Sequence, residues 1–214
     1  VLFLDELPEF SRHCLEVLRE PMESGEITLA RASHRITYPA RFQLVAAMNP
    51  CPCGHFGDPR GRCRCPPERV AAYRGRVSGP LLDRIDLHVE VGRVALEEIA
   101  GQARPEDSAA VAARVAAARQ KQRERQACLN ARLAGDDLAA ACAADGTALD
   151  LLARAMRQLG LSARAYHRVL RVARTIADLA ASGPLRAEHV AEAITLRQQD
   201  RPAASEIAAA GVSG

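Results

Sequence analysis

VLFLDELPEF, residues 1–10, sets four apolar residues directly ahead of two adjacent carboxylates, Asp5 and Glu6. A short, continuously apolar run predicts a strand of a parallel sheet covered on both faces. The acids then fall at the carboxyl end of that strand, where open α/β sheets bind ligands. An aspartate at such a tip can hold Mg2+, directly or through water, beside the phosphates of a nucleotide. The next carboxylate can orient or deprotonate the attacking water. LFLDE therefore resembles a Walker B motif with its catalytic glutamate. The plainer alternative is that the two acids cap the helix that follows.

Working outward, Phe10, Cys14, Val17 and Leu18 share one face of a predicted short helix with Pro8 near its start and Pro21 just past its end. In GEITLARASHRITYPARF (25–42), Ile27/Leu29 and Ile36/Tyr38 alternate with polar residues around a Ser-His centre, which predicts a β-hairpin with Arg31, His34 and Arg35 at its tip. FQLVAAMNP (42–50) reads as a second buried strand ending in Asn49, and IDLHVEV (85–91) as a third. From about residue 94 the text turns helical. A long helix is expected over 108–133, carrying Arg119, Lys121, Arg123 and Arg125. A second has N-cap Thr147 and terminal Gly160. A third begins at N-cap Ser162 with an apolar stripe of Tyr166, Val169, Leu170, Ala173 and Ile176, and a last one falls over 185–198. This predicts an α/β region over 1–92, an all-α region over 93–200 and a fraying tail over 201–214.

The composition is that of an ordinary soluble protein, 48% hydrophobic and 26% charged over 214 residues. No apolar run reaches membrane-spanning length and no signal-peptide pattern is present, so a cytoplasmic protein without membrane partners is expected. The net charge of +3 is too mild to argue for nucleic acid. Of the 29 basic residues one is lysine, Lys121, which base composition explains as readily as phosphate recognition.

Seven cysteines in such a chain point to metal or redox chemistry rather than disulfides. Four of them form Cys51-x-Cys53-x9-Cys63-x-Cys65 within fifteen residues of a Gly/Pro-rich loop, a set that can offer a tetrahedral Zn2+ site. His55 could replace one ligand, and reduced thiols or a redox switch are the competing readings. Cys14, Cys128 and Cys142 read as small hydrophobes on helices.

The order of these features is more specific than any one of them. A strand tip with Asp-Glu, a strand tip with Asn49, Arg84 ahead of the third strand and Arg164 opening a helix follow the sequence of Walker B, sensor 1, arginine finger and sensor 2. DELPEF through GDP (5–59), SGPLLDRIDLHVEV (78–91) and ARAYHRVLRVARTIADL (163–179) resemble the YifB/ComM family of magnesium-chelatase-like AAA+ ATPases. That resemblance covers nearly the whole chain. It implies a partial AAA+ P-loop core, with a parallel sheet and a pre-sensor-1 hairpin, followed by a helical lid. It also implies a homo-hexameric ring that hydrolyses ATP with Mg2+ and acts on DNA, as in branch migration. In that frame Asp5 and Glu6 are Walker B, Asn49 sensor 1, Arg84 the finger reaching a neighbour's site and Arg164 sensor 2. Arg31, His34 and Arg35 would then lie on the insertion facing the pore.

One departure matters. The sequence contains no G-x-x-x-x-G-K-[ST], and its single lysine sits in helical text. The expectation is of a piece whose upstream half carries the P-loop and which binds ATP weakly by itself. Two other readings are open: the motor subunit of a porphyrin magnesium chelatase, and a non-enzymatic zinc-bearing remnant. For each arginine the plain reading is a surface or structural ion pair, for the hairpin tip a solvated turn, and for the 119–125 run a wet helix face.

Overall fold

The computed structural model describes residues 1–31, 34–58, 60–92 and 106–198. These form two compact units, Val1–Ile85 and a second beginning at Asp86. The expected join at residue 93, the tail over 201–214 and two hairpin-tip residues, Ala32 and Ser33, lie outside the described residues.

In the first unit β1 (Leu2–Leu4) pairs in parallel with β4 (Leu44–Ala46), in the register Leu2–Leu44, Phe3–Val45 and Leu4–Ala46. Alternation sends Leu4 and Ala46 inward against Leu7, Leu15, Val77 and Leu81, all at most 3% exposed. Phe3 and Val45 point the other way and are 60% and 41% exposed. The expectation of strands covered on both faces is thus corrected: within the described chain the pair is covered on one. The second strand also ends at Ala46, three residues short of where the sequence placed it.

Between these strands the chain makes α1 (Arg12–Val17), α2 (Arg19–Ser24), β2 (Glu26–Arg31) and β3 (His34–Pro39). Ser11 caps α1 by accepting from the Cys14 N–H at 3.3 Å. The expected apolar face of this segment is not the buried one. Phe10 is extended ahead of the Ser11 cap and so outside the helix, Cys14 and Val17 are exposed, and Leu15 is the buried residue of α1. Pro21 falls inside the first turn of α2, where its missing N–H has no helical partner to lose. Gly25 ends α2 at φ 72°, and a Cβ there would lie 2.8 Å from the Arg41 Cγ. The hairpin follows with Ile27 opposite Tyr38 and Leu29 opposite Ile36, as its alternation predicts.

Beyond the cysteine loop come α3 (Pro67–Arg74) and α4 (Gly79–Leu82), the latter capped by Ser78 and anchored by the fully buried Leu81. Residues 85–91 form no strand, a correction to the sequence reading. In the second unit the His88 N–H donates instead to the Leu196 carbonyl at 2.7 Å.

The second unit is helical: α5 (Ser108–Gln126), α6 (Gly135–Cys142), α7 (Gly146–Leu159), α8 (Ala163–Leu179) and α9 (Ala187–Gln198). The first helix stops short of the predicted end because Ala127 turns left-handed, and a 3-10 turn at Asn130–Arg132 follows. The α7 cap is Asp145, not Thr147: its carboxylate accepts the Ala148 N–H at 2.7 Å, and Thr147 Oγ1 donates to that same oxygen. Gly160 and Ser162 take the roles expected of them. On α8, Val169, Leu170, Ala173 and Ala177 are buried into a core completed by Leu138, Leu152, Leu185 and Val190, with Tyr166 and Ile176 packed at its margin.

Polar groups also enter this core. Arg174 is 1% exposed and Asp178 3%, one turn apart on α8. Asp178 accepts from Arg125, Arg174 and Asn130, while Arg174 also donates to the Ser182 and Gly183 carbonyls. Arg125 stays on the exposed face expected of its run but reaches Asp178 with its guanidinium.

Candidate functional site

The first group of interest forms at the carboxyl ends of the parallel pair. The ladder continues past β1, with the Ala47 N–H donating to the Leu4 carbonyl and the Leu7 N–H to the Ala47 carbonyl, both at 2.9 Å. These bonds hold Asp5 and Glu6 beside the segment that leads to Asn49. Both acids and Asn49 are exposed.

The capping alternative does not describe the acids. Glu6 occupies the cap position of the 3-10 turn Leu7–Glu9, yet its side chain makes no capping bond. It sits at φ 52°, ψ 46°, a left-handed conformation that a glutamate enters at a penalty of about 1 kcal/mol. Asp5 uses one oxygen to accept the Glu6 N–H at 2.9 Å. The turn that imposes this geometry is fixed by the burial of Leu7 and Pro8 and by Arg76, which donates to the Pro8 carbonyl and to Glu9. Backbone strain of this kind persists only where the surroundings over-determine it, and it clusters at functional sites.

Sequence reading missed Tyr73, which is 7% exposed on α3. Burial, then the charges of Glu9 and Glu6, push its hydroxyl above the usual range, and the hydrogen-bonded Asn49 backbone acts the other way. The phenol thus lies close to the acidic tip and to the Asn49 backbone. The signal available was the pairing of Val70 and Tyr73 three residues apart after a Pro-Pro start.

Arg84 belongs to this same unit, but it does not project as an isolated finger. It is 8% exposed, donates to the Pro80 carbonyl at 2.6 Å and pairs with Glu23 at 2.9 Å. Arg164 lies in the second unit, exposed in the first turn of α8. On the hairpin, Arg31 faces His34 in the closing register pair, and His34 and Arg35 are exposed.

The second group is the cysteine loop. Cys51, Cys53, Cys63 and Cys65 bring their sulfurs within 4.8 Å of one another, and His55 is not in the set. The separations are 3.3 Å for Cys51–Cys53 and 3.7 Å for both Cys51–Cys63 and Cys53–Cys63. A tetrahedron with Zn–S of about 2.3 Å has sulfur-sulfur edges of about 3.8 Å, whereas a disulfide closes to about 2.0 Å. The spacing fits ligation and excludes bonded pairs among these three sulfurs. Cys51 is fully buried. A bond from Cys51 pulls the Cys53 thiol down to about 6, helped by the His55 backbone. Cys63 is pushed up to about 11: the Cys65 backbone bond opposes the shift, while burial and the neighbouring sulfurs drive it. One thiolate is thus ready at neutral pH and others must yield protons to a metal. The loop is moored to α3 by Arg74, whose Nε donates to the Pro50 carbonyl at 3.0 Å and whose guanidinium lies 4.8 Å above the Phe56 ring.

The remaining cysteines divide. Cys142 is buried and Cys128 packs against the helical core, as expected, but Cys14 is exposed, since α1 buries Leu15 instead. Among the described residues, no helix is long and apolar enough to cross a membrane.

Comparison with known proteins agrees with this layout. Residues 1–99 match the family described as magnesium chelatase, subunit ChlI, and residues 105–197 match magnesium chelatase, subunit ChlI C-terminal. YifB of Escherichia coli is 47% identical over 206 residues, covering 94% of this chain and 40% of that protein. YifB of Salmonella typhimurium is 46% identical over 202 residues, with the same coverage. The competence protein ComM of Haemophilus influenzae is 45% identical over 202 residues, 94% of this chain and 39% of ComM. The chain spans about two fifths of the length of these curated relatives. With nearly every residue inside one or other match, the chain belongs to the magnesium-chelatase-like family that includes YifB and ComM.

Proposed function

We propose that this chain supplies the water-activating and sensing half of an AAA+ ATPase that couples ATP hydrolysis to the remodelling of DNA, branch migration being the expected form. The observation that carries the reading is the tip geometry. An uncapped, left-handed Glu6 follows Asp5 at the end of one parallel strand, with Asn49 just past the end of its neighbour. Carboxylates so placed lie where α/β sheets receive ligands. Asp5 would hold Mg2+, which neutralises charge building on the transferred phosphoryl group. Glu6 would take a proton from water and Asn49 would orient that water. Arg84 would serve a neighbouring copy in a homo-hexameric ring, and Arg164 would contact nucleotide from the helical unit. The hairpin residues Arg31, His34 and Arg35 would meet the DNA backbone.

The cysteine cluster would hold Zn2+, on the strength of its near-tetrahedral edges. Its chemistry there is structural, since four thiolates leave no open position for substrate. The loop begins two residues after Asn49, so a metal would stiffen the sensor segment. Purified protein should carry about one Zn2+ per chain, lost when Cys63→Ser and Cys65→Ser are combined. Metal-free protein with all four thiols titratable would end this part of the reading.

The decisive test of the motor is Arg84→Ala in the protein joined to a P-loop-bearing upstream segment. An arginine finger is worth about 10³–10⁵ in kcat, so turnover should vanish while nucleotide binding survives. Near-normal turnover would refute the assignment. The family's description favours a second reading, a motor serving porphyrin metallation; ATPase activity stimulated by duplex or branched DNA would decide against it.

A further inference from the structure

Arg84 lines a cleft of about 350 Å³ together with Glu16, Arg19, Glu20, Glu23 and Ser24. Three carboxylates therefore surround one candidate finger, and they do not share it. Glu16 is taken by Arg19 and by Ser78, whose Oγ donates to it at 2.5 Å. Glu23 pairs with Arg84 at 2.9 Å, while the Pro80 carbonyl accepts from a second guanidinium nitrogen at 2.6 Å. The α4 segment is thus clamped to α1 and α2 at both ends, by Ser78 to Glu16 and by Arg84 to Glu23.

The position of Glu23 gives the second clamp a further consequence. It lies in the last turn of α2, three residues before Glu26, where the first strand of the hairpin begins after Gly25. That junction is stiff. Ser24 Oγ accepts the Glu26 N–H and has the Glu20 and Glu26 carbonyls in reach of its single proton, and the Gly25 carbonyl accepts the N–H of Ala40, just past the returning strand, at 2.7 Å. The hairpin base is thus bonded to the residues that follow Glu23 in the chain.

We propose that Glu23 is the positioning residue for Arg84, and that it ties the finger to the base of the β2–β3 hairpin. This rests on the finger reading given above. A guanidinium held at two nitrogens has its orientation fixed before any partner arrives. Misplacing such a group by about 1 Å costs on the order of 10²-fold in rate.

The test uses the P-loop-bearing full-length protein, with ATP turnover measured with and without duplex DNA. Glu23→Ala should lower kcat about 10- to 100-fold with the KM for ATP within about twofold, and should flatten the response to DNA. Glu23→Gln keeps an oxygen that accepts from the guanidinium and should recover much of the rate. The double variant Glu23→Ala/Arg84→Ala should be no slower than Arg84→Ala alone, since both act through one group. A merely structural Glu23 would instead give additive losses, together with a lowered unfolding midpoint. If Arg84→Ala abolishes turnover and Glu23→Ala does not, the positioning role is overturned and the finger stands. If Arg84→Ala leaves turnover intact, the finger itself falls. Should Glu23→Ala fail to fold, Glu23→Gln and Glu23→Asp decide: wild-type kcat and DNA response in both overturns the proposal.

Discussion

Replacing Asp178 by asparagine is the sharpest test of how the helical unit is held together. Asp178 is 3% exposed and accepts five hydrogen bonds: two from Arg125, two from Arg174 and one from Asn130, at 2.6–3.1 Å. The substitution keeps shape but removes the charge that compensates a fully buried guanidinium. Breaking a buried pair from one side costs about 3–5 kcal/mol, because the remaining ion is left desolvated. Arg174 keeps its bonds to the Ser182 and Gly183 carbonyls, which argues for the lower end of that range. For a unit of this size about 4 °C of melting temperature or more goes with each kcal/mol, so a fall of at least about 12 °C is expected by circular dichroism. Arg125→Ala should cost less, since that side chain is 27% exposed and solvent screens it. The pH dependence has a definite sign. Burial alone would raise the Asp178 carboxyl, but Arg125, Asn130 and Arg174 together hold it below the usual range. A depressed carboxyl contributes its stability above the unfolded value, about 3.9, and loses it as pH falls through the folded one. The gap between wild type and Asp178→Asn should therefore close below about pH 4. A loss under 1 kcal/mol at neutral pH would show that the network is not held by its charges.

Two further outcomes follow from burial and capping. Iodoacetamide should label exposed Cys14 rapidly in the native protein, and Cys142 only on unfolding, since burial pushes that thiol up to about 11; mass spectrometry of labelled peptides reads the order, and early labelling of Cys142 would contradict the packing. Asp145→Ala should cost about 1 kcal/mol in urea unfolding, and Thr147→Ala less than half of that; the reverse order would return the α7 cap to Thr147.

What the sequence disclosed depended on how local the physics was. The hairpin register was legible because Ile27/Leu29 and Ile36/Tyr38 alternate across a short turn. The cysteine cluster was legible because its four residues lie within one loop. Asp145 and Thr147 are both good caps two residues apart, and nothing local chooses between them. The periodicity argument for α1 failed because it counted Phe10, which lies ahead of the Ser11 cap in extended conformation; the helix that does form buries Leu15. The misplaced third strand had the right alternation, but among the described residues no strand pairs with 85–91. Least legible were the polar contacts of long range. Arg125 sits in a run of charges that looks solvated, and its partner Asp178 lies 53 residues away. Glu23 and Arg84 meet only because α2 and α4 share a core containing Leu15 and Leu81.

Glu6 offers a way to separate conformational strain from chemistry at the acidic tip. Its left-handed backbone is imposed from outside, by the Leu7 N–H donating to the Ala47 carbonyl and by the burial of Leu7 and Pro8, rather than by any bond its side chain makes. Truncation to alanine keeps the Cβ that is strained at φ 52°, while truncation to glycine removes it. The two variants expose nearly the same surface and bear no carboxylate, so the difference between them reports the backbone alone. Glu6→Gly should therefore be more stable than Glu6→Ala by about 0.5 kcal/mol in urea unfolding, since the greater freedom of unfolded glycine offsets part of the strain relieved. In the P-loop-bearing protein both should lack turnover. That combination, backbone strain relieved by glycine and activity lost in both variants, is expected where a residue is kept for its chemistry against its conformational preference. Equal stability of the two would mean the turn relaxes freely around residue 6, and the tip would then have no enforced geometry with which to aim a base.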